Sequence, residues 1–323
     1  MPPWAHARID TESPDLSPKP IRKDVDTETM PPVALVLALG MFLLFAALDT
    51  SGKYLITSGL AASFVVWFRF ASQALVQMLI SRAWSNPELW RMNNVLLQLL
   101  RAITLPATTL LNFKALETLQ LAQTVSVFLS APMMITALAG PLLGEWAGIR
   151  RWLAIMVAFA GVLVVVRPGT AMFDPAILYS ISATFVYALY GILTRKLAGS
   201  ETEASLVFYP SLIGILLLGP FAWTNAEMPE GVFDTALLLG FGIFGMIGHT
   251  MFIKASRIAS APKIAPFVYS QLIWMTLLGW IVFGDLPDWW TVAGAAIICA
   301  SGLYLMYRER VLRLARSAAQ VER

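Results

Sequence analysis

The sequence predicts an all-α integral membrane protein with ten transmembrane helices, built as two five-helix repeats of opposite orientation. Three observations support this prediction: the composition, the long apolar runs, and the distribution of basic residues between them. Of 323 residues, 58% are hydrophobic and 13% are charged, whereas roughly 25% are charged in a typical soluble domain. A water-soluble fold could not bury so much apolar surface. Each bilayer-crossing helix needs about 20 apolar residues, so the chain has room for about ten.

The apolar runs follow one another between charged residues, prolines and glycines. Residues 1–30 precede them with six acidic and four basic residues and no apolar core of signal-peptide type, so we expect a disordered cytoplasmic tail there. Residues 309–323 are expected to form a basic cytoplasmic tail. Residues 31–168 and 169–308 then form the two repeats. The predicted spans lie near residues 32–54, 61–81, 94–113, 121–142, 151–167, 175–195, 204–223, 234–253, 263–283 and 289–307.

Basic residues alternate between the two sides of the membrane. With the N-terminus in the cytoplasm, the inner segments contain 18 Lys and Arg residues, whereas the outer loops contain three, at Lys53, Lys114 and Arg167. Because positively charged loops stay on the cytoplasmic side, this bias predicts that both termini are cytoplasmic. It also supports the number of spans, since one missing helix would disturb the alternation.

The two halves of the chain resemble each other. At one constant offset, Ser130 aligns with Ser270 and Gly144–Glu145 with Gly284–Asp285, and the offset becomes slightly larger nearer the N-terminus, where Ala62–Ser63 aligns with Ala204–Ser205. Each half contains five spans, so the second repeat must cross the membrane in the opposite sense. Inverted repeats are typical of secondary transporters, whose substrate site lies near the middle of the membrane between the repeats.

The fourth and fifth spans resemble a known family. They contain an ALxxxxxAxxxxxxxxxP helix that reaches Pro132, the Gly144–Glu145 turn, and a following helix with the sequence AGV. This pattern is similar to that of the drug/metabolite transporter superfamily, EamA branch. The second half repeats it more loosely, with Leu272 in place of the first proline and a helix proline earlier, at Pro266. The resemblance extends over residues 32–308.

The resemblance implies a bacterial inner-membrane carrier with a central cavity lined mainly by spans 1, 3, 4, 6, 8 and 9. Within the family, the chain is most similar to the YddG-type exporters of aromatic amino acids. We therefore expect an exporter of aromatic and other hydrophobic amino acids, in contact with membrane lipid, that acts as a monomer without cofactor or nucleic acid. Transport of another metabolite or drug is the alternative, and a channel or membrane scaffold is the alternative outside carriers.

Motifs of enzymes are absent from the sequence. It contains no HExxH, no GxSxG and no GxxxxGK[ST] phosphate loop. Its two histidines and one cysteine could not build a typical metal site. We therefore predict neither a catalytic residue nor a metal site.

A polar helix face in the third span is the first candidate site. Lipid cannot lie against such a face, and a charge in mid-membrane is costly, so we expect Arg101 to face the central cavity and to bind a substrate carboxylate. The alternative is that Arg101 reaches to the inner surface of the membrane. A similar stripe on the second span, with Arg69, is interpreted as a packing contact between helices, with substrate binding as the alternative. The face of the third span consists of Arg101, Thr104, Thr108 and Asn112.

Prolines interrupt the fourth and ninth spans at related places. A proline frees a backbone carbonyl in a helix, and such interruptions in corresponding helices of two repeats indicate a transport site. An ordinary packing kink is the alternative. We predict kinks at Pro132 and Pro266 and substrate contacts from the polar residues near them. These are Gln123, Ser126 and Ser130 in the fourth span, and Ser270 and Trp274 in the ninth.

Three aromatic residues lie well inside their spans, at Tyr187, Tyr269 and Trp274. Tyrosine and tryptophan usually lie at membrane interfaces, so we expect these three to form an apolar wall for an aromatic substrate. Core packing is the alternative for each.

Three further polar residues complete the candidates. His249 is a possible substrate contact, with a structural histidine as the alternative. Asp49 and Lys53 are spaced as an ion pair near the outer end of the first span, and a gating role is assigned to them. Because Asp49 lies too near the surface to relay protons well and no other carboxylate lies in mid-membrane, we expect transport to need no obligate proton partner.

Overall fold

The computed structural model describes residues 31–197, 200–224, 226–259 and 264–321. The predicted N-terminal tail, residues 1–30, lies outside the described residues. Within the described ranges, ten helices are long and apolar enough to cross a membrane, which confirms the predicted fold class. They are α1 (Pro32–Thr57), α2 (Ala62–Ile80), α3 (Val95–Leu116), α4 (Leu121–Leu143), α5 (Ile149–Val166), α6 (Ile177–Leu197), α7 (Glu203–Thr224), α8 (Val232–Ile258), α9 (Pro266–Phe283) and α10 (Trp289–Val321).

The last helix is longer than the sequence predicted. We expected the tenth span to end near residue 307, yet α10 continues as helix to Val321. The segment RERVLRLARSAAQV consists almost entirely of good helix formers, such as Arg, Leu and Ala, so the helix has no reason to end at the edge of its apolar part.

Both helices with predicted kinks are interrupted. The α4 span is two helices, Leu121–Phe128 and Ala131–Leu143, and Pro132 lies in the first turn of the second one. The α9 span begins as a 3₁₀ helix over Ala265–Tyr269, with Pro266 in its first turn, before α-helix starts at Ser270. Proline has no N–H to donate, so it is tolerated where a helix begins.

The two repeats interlock, and the same contacts occur twice. Helix α1 packs against α8 and α9 of the second repeat, and its counterpart α6 packs against α3 and α4 of the first. In the same way, α2 contacts α8, and its counterpart α7 contacts α3. Two counterpart helices also contact each other directly, since α2 packs on α7 and α5 packs on α10. The hydrophobic core therefore lies between the repeats, and any cavity within it is bounded by both.

Glycines permit the closest of these approaches. A Cβ on Gly242 of α8 would lie 2.5 Å from the backbone N of Gln73 and 2.9 Å from the carbonyl O of Arg69 on α2. Where the backbones meet, the amide N of Gly242 donates to the Oγ of Ser72 at 3.1 Å. Gly242, Gly245 and Gly248 thus form a packing surface on α8, as small residues between membrane helices commonly do.

An ion pair outside the spans fixes α5 to α10. The Arg167 guanidinium lies 2.6 Å from the Asp288 carboxylate. Partial burial opposes ionisation, but the hydrogen bonds with Thr291 and the charge of Arg167 hold the pKa of Asp288 below its ordinary value. The pair is therefore ionised at neutral pH.

Candidate functional site

A cavity of about 330 Å³ lies where the two repeats meet. Its wall includes residues of all six spans that the family resemblance implies, and of α2 in addition. The first repeat contributes Phe42, Phe45, Leu48 and Asp49 of α1, Arg69 of α2, Leu105, Thr108, Thr109 and Asn112 of α3, and Thr124, Val125, Phe128, Ala131, Pro132 and Ile135 of α4. The second repeat contributes Tyr187 of α6, His249 of α8, and Val268, Gln271 and Met275 of α9.

The cavity contains one carboxylate and one guanidinium, on neighbouring helices. Asn112 donates from Nδ2 to Oδ1 of Asp49 at 3.4 Å. Arg69 donates from Nη1 to Oγ1 of Thr109 at 2.8 Å. No ion pair joins Asp49 to Arg69 among those found in the described residues. Both charged groups therefore keep bonding capacity for another molecule.

Two buried polar atoms of the cavity wall have no partner. The Nε of Arg69 and the Oγ1 of Thr108 are both buried and make no hydrogen bond to the described residues. A buried donor without a partner typically costs about 1–3 kcal/mol. The wall is therefore incomplete by itself and suits an occupant that accepts hydrogen bonds.

Aromatic rings surround these polar groups. The rings of Phe128 and Tyr187 contact each other, with centroids 4.7 Å apart and planes inclined at 52°. Phe45 lies edge-on to the His249 imidazole at 5.2 Å. Such rings offer flat apolar surfaces on which another ring can stack.

Arg101 lies elsewhere, which corrects the sequence prediction. It is buried below the cavity wall, where Nε donates to Thr194 Oγ1 at 2.7 Å, Nη1 to the Leu206 carbonyl O at 2.7 Å and Nη2 to Tyr190 Oη at 2.8 Å. Its guanidinium also lies 4.6 Å from the centre of the Tyr190 ring. Arg101 thus joins α3 to α6 and α7. It is buried and does not line the cavity.

Only part of the polar face of α3 lines the cavity, because α3 packs against α6 and α7 at one end and borders the cavity at the other. Thr108 and Asn112 lie in the cavity wall. Thr104 is not part of that wall, and its hydroxyl donates to the Arg101 carbonyl O at 2.7 Å.

Several residues that were predicted to contact the substrate form hydrogen bonds within their own helix instead. Gln123 caps the start of α4, where its Oε1 accepts from the backbone N of Gln120. The hydroxyls of Ser126, Ser130 and Ser270 donate to carbonyl groups three or four residues earlier. Serine in an apolar helix commonly satisfies itself in this way, so these four residues are corrected to structural roles.

Only part of the predicted aromatic wall lines the cavity. Tyr187 and His249 lie in the cavity wall. Tyr269 points at α10, where its Oη occupies the space that a Cβ on Gly302 would need. Trp274 packs against the buried hydrophobic core. Tyr269 and Trp274 are corrected to core packing, which was the alternative stated for them.

The predicted ion pair of Asp49 and Lys53 is wrong. Lys53 donates to Asp285 Oδ2 at 2.9 Å and to the Leu119 carbonyl O at 3.0 Å instead. Asp49 lies in the cavity wall rather than near the surface, so the reason given for proton-independent transport no longer holds.

Gln271 is, with Thr109 and Thr124, one of three polar cavity residues that the sequence did not reveal. It follows Ser270 on α9 and is buried in the wall. The repeat alignment would have indicated it, because the offset that places Ser130 on Ser270 also places Ala131, another wall residue, on Gln271.

Among known proteins, the chain is similar to several bacterial transporters. It is 31% identical over 184 residues to the S-adenosylmethionine uptake transporter of Rickettsia prowazekii, which covers 57% of this chain and 62% of the relative. It is 30% identical over 187 residues to the riboflavin transporter of Vibrio cholerae, with 57% and 61% covered. The pseudopaline exporter CntI of Pseudomonas aeruginosa is 24% identical over 76% of this chain and 86% of that protein. The first two matches thus extend over less than two thirds of the relatives' length.

A solved crystal structure matches the fold with a TM-score of 0.56 at 19% identity, covering 85% of this chain and 98% of the other. The relatives transport chemically different solutes and do not single out the YddG-type amino-acid exporters.

The family pattern itself occurs twice, over residues 32–167 and 174–308, in agreement with the two interlocked repeats. Both matches together include every span and every residue of the cavity wall. This multi-pass membrane protein therefore belongs to the EamA-like transporter family.

Proposed function

We propose that the protein is a secondary carrier that exports amino acids with an aromatic or other large apolar side chain by alternating access. The observation that supports this proposal is the cavity between the repeats, where Asp49 and Arg69 lie among aromatic rings. A zwitterion offers one group to each of these charges. Its side chain offers a flat surface to the rings.

The polar groups suit the two ends of an amino acid. Arg69 uses Nη1 for Thr109, and its buried Nε has no partner within the described ranges, so its fork can bond a carboxylate. Among the described residues, Asp49 accepts one long hydrogen bond, from Asn112, and it can also accept from an ammonium group. Phe128 and Tyr187 form the surface on which a ring would lie.

S-adenosylmethionine is the second candidate substrate, because two independent observations favour it. It is itself an amino acid joined to an aromatic adenine, so it meets the same chemical description. A relative that is 31% identical to this chain takes it up. Riboflavin, which another relative transports, has no zwitterionic group for Asp49 and Arg69.

The transport assay uses purified protein in liposomes and four labelled solutes: phenylalanine, S-adenosylmethionine, riboflavin and glucose. We expect exchange of phenylalanine or S-adenosylmethionine and none of glucose. Exchange of riboflavin or glucose alone would contradict the proposal that the substrate is a zwitterion. Exchange of none of the four solutes would contradict the proposal that the protein is an amino-acid carrier. Arg101→Lys changes an arginine outside the cavity and is the control for variants of Arg69, the arginine of the cavity wall.

In the proposed orientation, both termini lie on the cytoplasmic side of a bacterial inner membrane. The basis is the excess of basic residues in alternate loops, 18 against three. A reporter that is active only outside the inner membrane, fused after Arg323, should stay silent. A strong signal would contradict the proposed topology and indicate that the C-terminus lies outside the inner membrane.

A further inference from the structure

Two ion pairs occupy matching places in the two repeats. Lys53 Nζ lies 2.9 Å from Asp285 Oδ2, and Arg195 Nη2 lies 2.9 Å from Glu145 Oε1. The offset that places Ala62–Ser63 on Ala204–Ser205 also places Lys53 on Arg195, and the offset that places Ser130 on Ser270 places Glu145 on Asp285. Each member of one pair is therefore the counterpart of a member of the other.

Each pair joins the two repeats at opposite faces of the membrane. Lys53 is near the end of α1, and Arg195 is near the end of α6, which crosses in the opposite sense. Glu145 and Asp285 each follow a glycine with φ of 74° or 72° that ends α4 or α9. We call these sides the Lys53 face and the Arg195 face.

The two pairs differ in burial. The side chains of Lys53 and Asp285 are 8% and 28% exposed, whereas those of Arg195 and Glu145 are 60% and 48% exposed. Lys53 also bonds the Leu119 carbonyl O and lies 4.7 Å from the centre of the Phe283 ring. The Lys53 face is therefore tightly closed, and the Arg195 face is held by a solvated pair that contributes little.

Both pairs border the cavity through the helices they join. Lys53 is one turn beyond Asp49 on α1, while α4 and α9, which precede Glu145 and Asp285, form much of the wall. A path from the cavity to the Lys53 face requires α1 to separate from the end of α9. By the repeat symmetry, a path to the Arg195 face requires α6 to separate from the end of α4.

We propose that Lys53–Asp285 and Arg195–Glu145 are the two gates of the carrier, related by the inverted repeat and opened one at a time. This inference rests on the proposed alternating access, but not on the identity of the substrate. Breaking one gate should shift the protein towards the state that is open at that face.

The experiment measures how fast a cysteine in the cavity is reached from each face. Leu105→Cys supplies the cysteine in a Cys299→Ala background, and a membrane-impermeant maleimide is the probe in sealed vesicles of either orientation. Asp285→Asn should speed labelling from the Lys53 face roughly tenfold, because a buried charge loses its partner. Glu145→Gln should speed labelling from the Arg195 face by roughly fivefold or less, because that pair is solvated.

Arg167→Met is the matched control. It breaks an ion pair on the Lys53 side that joins α5 to α10 and contributes nothing to the cavity wall, so both labelling rates should stay unchanged. The exchange of charges in Lys53→Asp with Asp285→Lys should restore the slow rate. Where Asp285→Asn does not fold, Glu145→Gln in its exposed position decides the question.

Unchanged rates in Asp285→Asn and Glu145→Gln would overturn the proposal, as would equal acceleration from both faces, which indicates a loosened fold. Labelling needs no transported solute. Face-specific acceleration in a protein that exchanges none of the four solutes would therefore support the gates and contradict the amino-acid substrate.

Discussion

Among the residues that the structure describes, two arginines are buried, on neighbouring helices, and their surroundings differ. Arg101 on α3 uses all three of its donor nitrogens on α6 and α7. Arg69 on α2, a residue of the cavity wall, bonds Thr109 with Nη1, and its Nε has no partner in the described part of the chain. The comparison teaches that burial of a cation does not identify a binding site. What matters is the hydrogen-bonding capacity that the protein leaves unused.

Replacing Arg101 should have the largest effect, and the effect should be on stability. Arg101→Leu removes three charge-assisted hydrogen bonds that join three helices, so we expect a loss of about 3 kcal/mol or more. Thermal unfolding of the purified protein in detergent measures it. Substrate affinity of the fraction that remains folded should be unchanged. Normal stability with weakened binding would place Arg101 in the site after all.

Replacing Arg69 should affect binding instead. Arg69→Lys keeps the charge but loses the fork, and one charge-assisted hydrogen bond is worth about 1.5–3 kcal/mol, or roughly 10- to 150-fold in affinity. Equilibrium binding of the transported solute measures the change. Arg101→Lys is the matched control and should bind normally. Equal affinities in wild type and Arg69→Lys would show that the guanidinium does not bind the substrate.

The smallest effect concerns the aromatic residues. Tyr187→Leu removes a ring from the cavity wall, and an aromatic pair is worth about 0.5–1.5 kcal/mol beyond its buried area. We therefore expect aromatic substrates to bind roughly two- to twelvefold more weakly, with little change for leucine. Trp274→Leu, outside the wall, should leave this preference intact. The opposite result for the two variants would return Trp274 to the site.

Most of the fold could be predicted from the sequence, because a membrane imposes its thickness on every span. Predicted span 6 at 175–195 corresponds to α6 at Ile177–Leu197, and span 3 at 94–113 to α3 at Val95–Leu116. The end of α10 could not be predicted, since beyond the apolar part only helix propensity determines the length.

The site could be predicted only in part. Periodicity located the polar face of α3, but it cannot show which end of that face meets the cavity and which meets α6. The same limit applies to Asp49 and Lys53, whose spacing fits a local pair although their partners, Asn112 and Asp285, are distant in sequence. Contacts between distant helices determine these roles, and no pattern within one helix reveals them.

The central claim is that the transported solute occupies the cavity between Asp49 and Arg69. Protection of Leu105→Cys, in the Cys299→Ala background, tests it most directly, because Leu105 lies in the cavity wall. Saturating solute should slow maleimide labelling of this cysteine in the otherwise unchanged protein. The slowing should disappear at the same concentration when Arg69→Lys is added, but not when Arg101→Lys is added. Labelling at the same rate with and without a solute that the protein demonstrably transports would contradict the account.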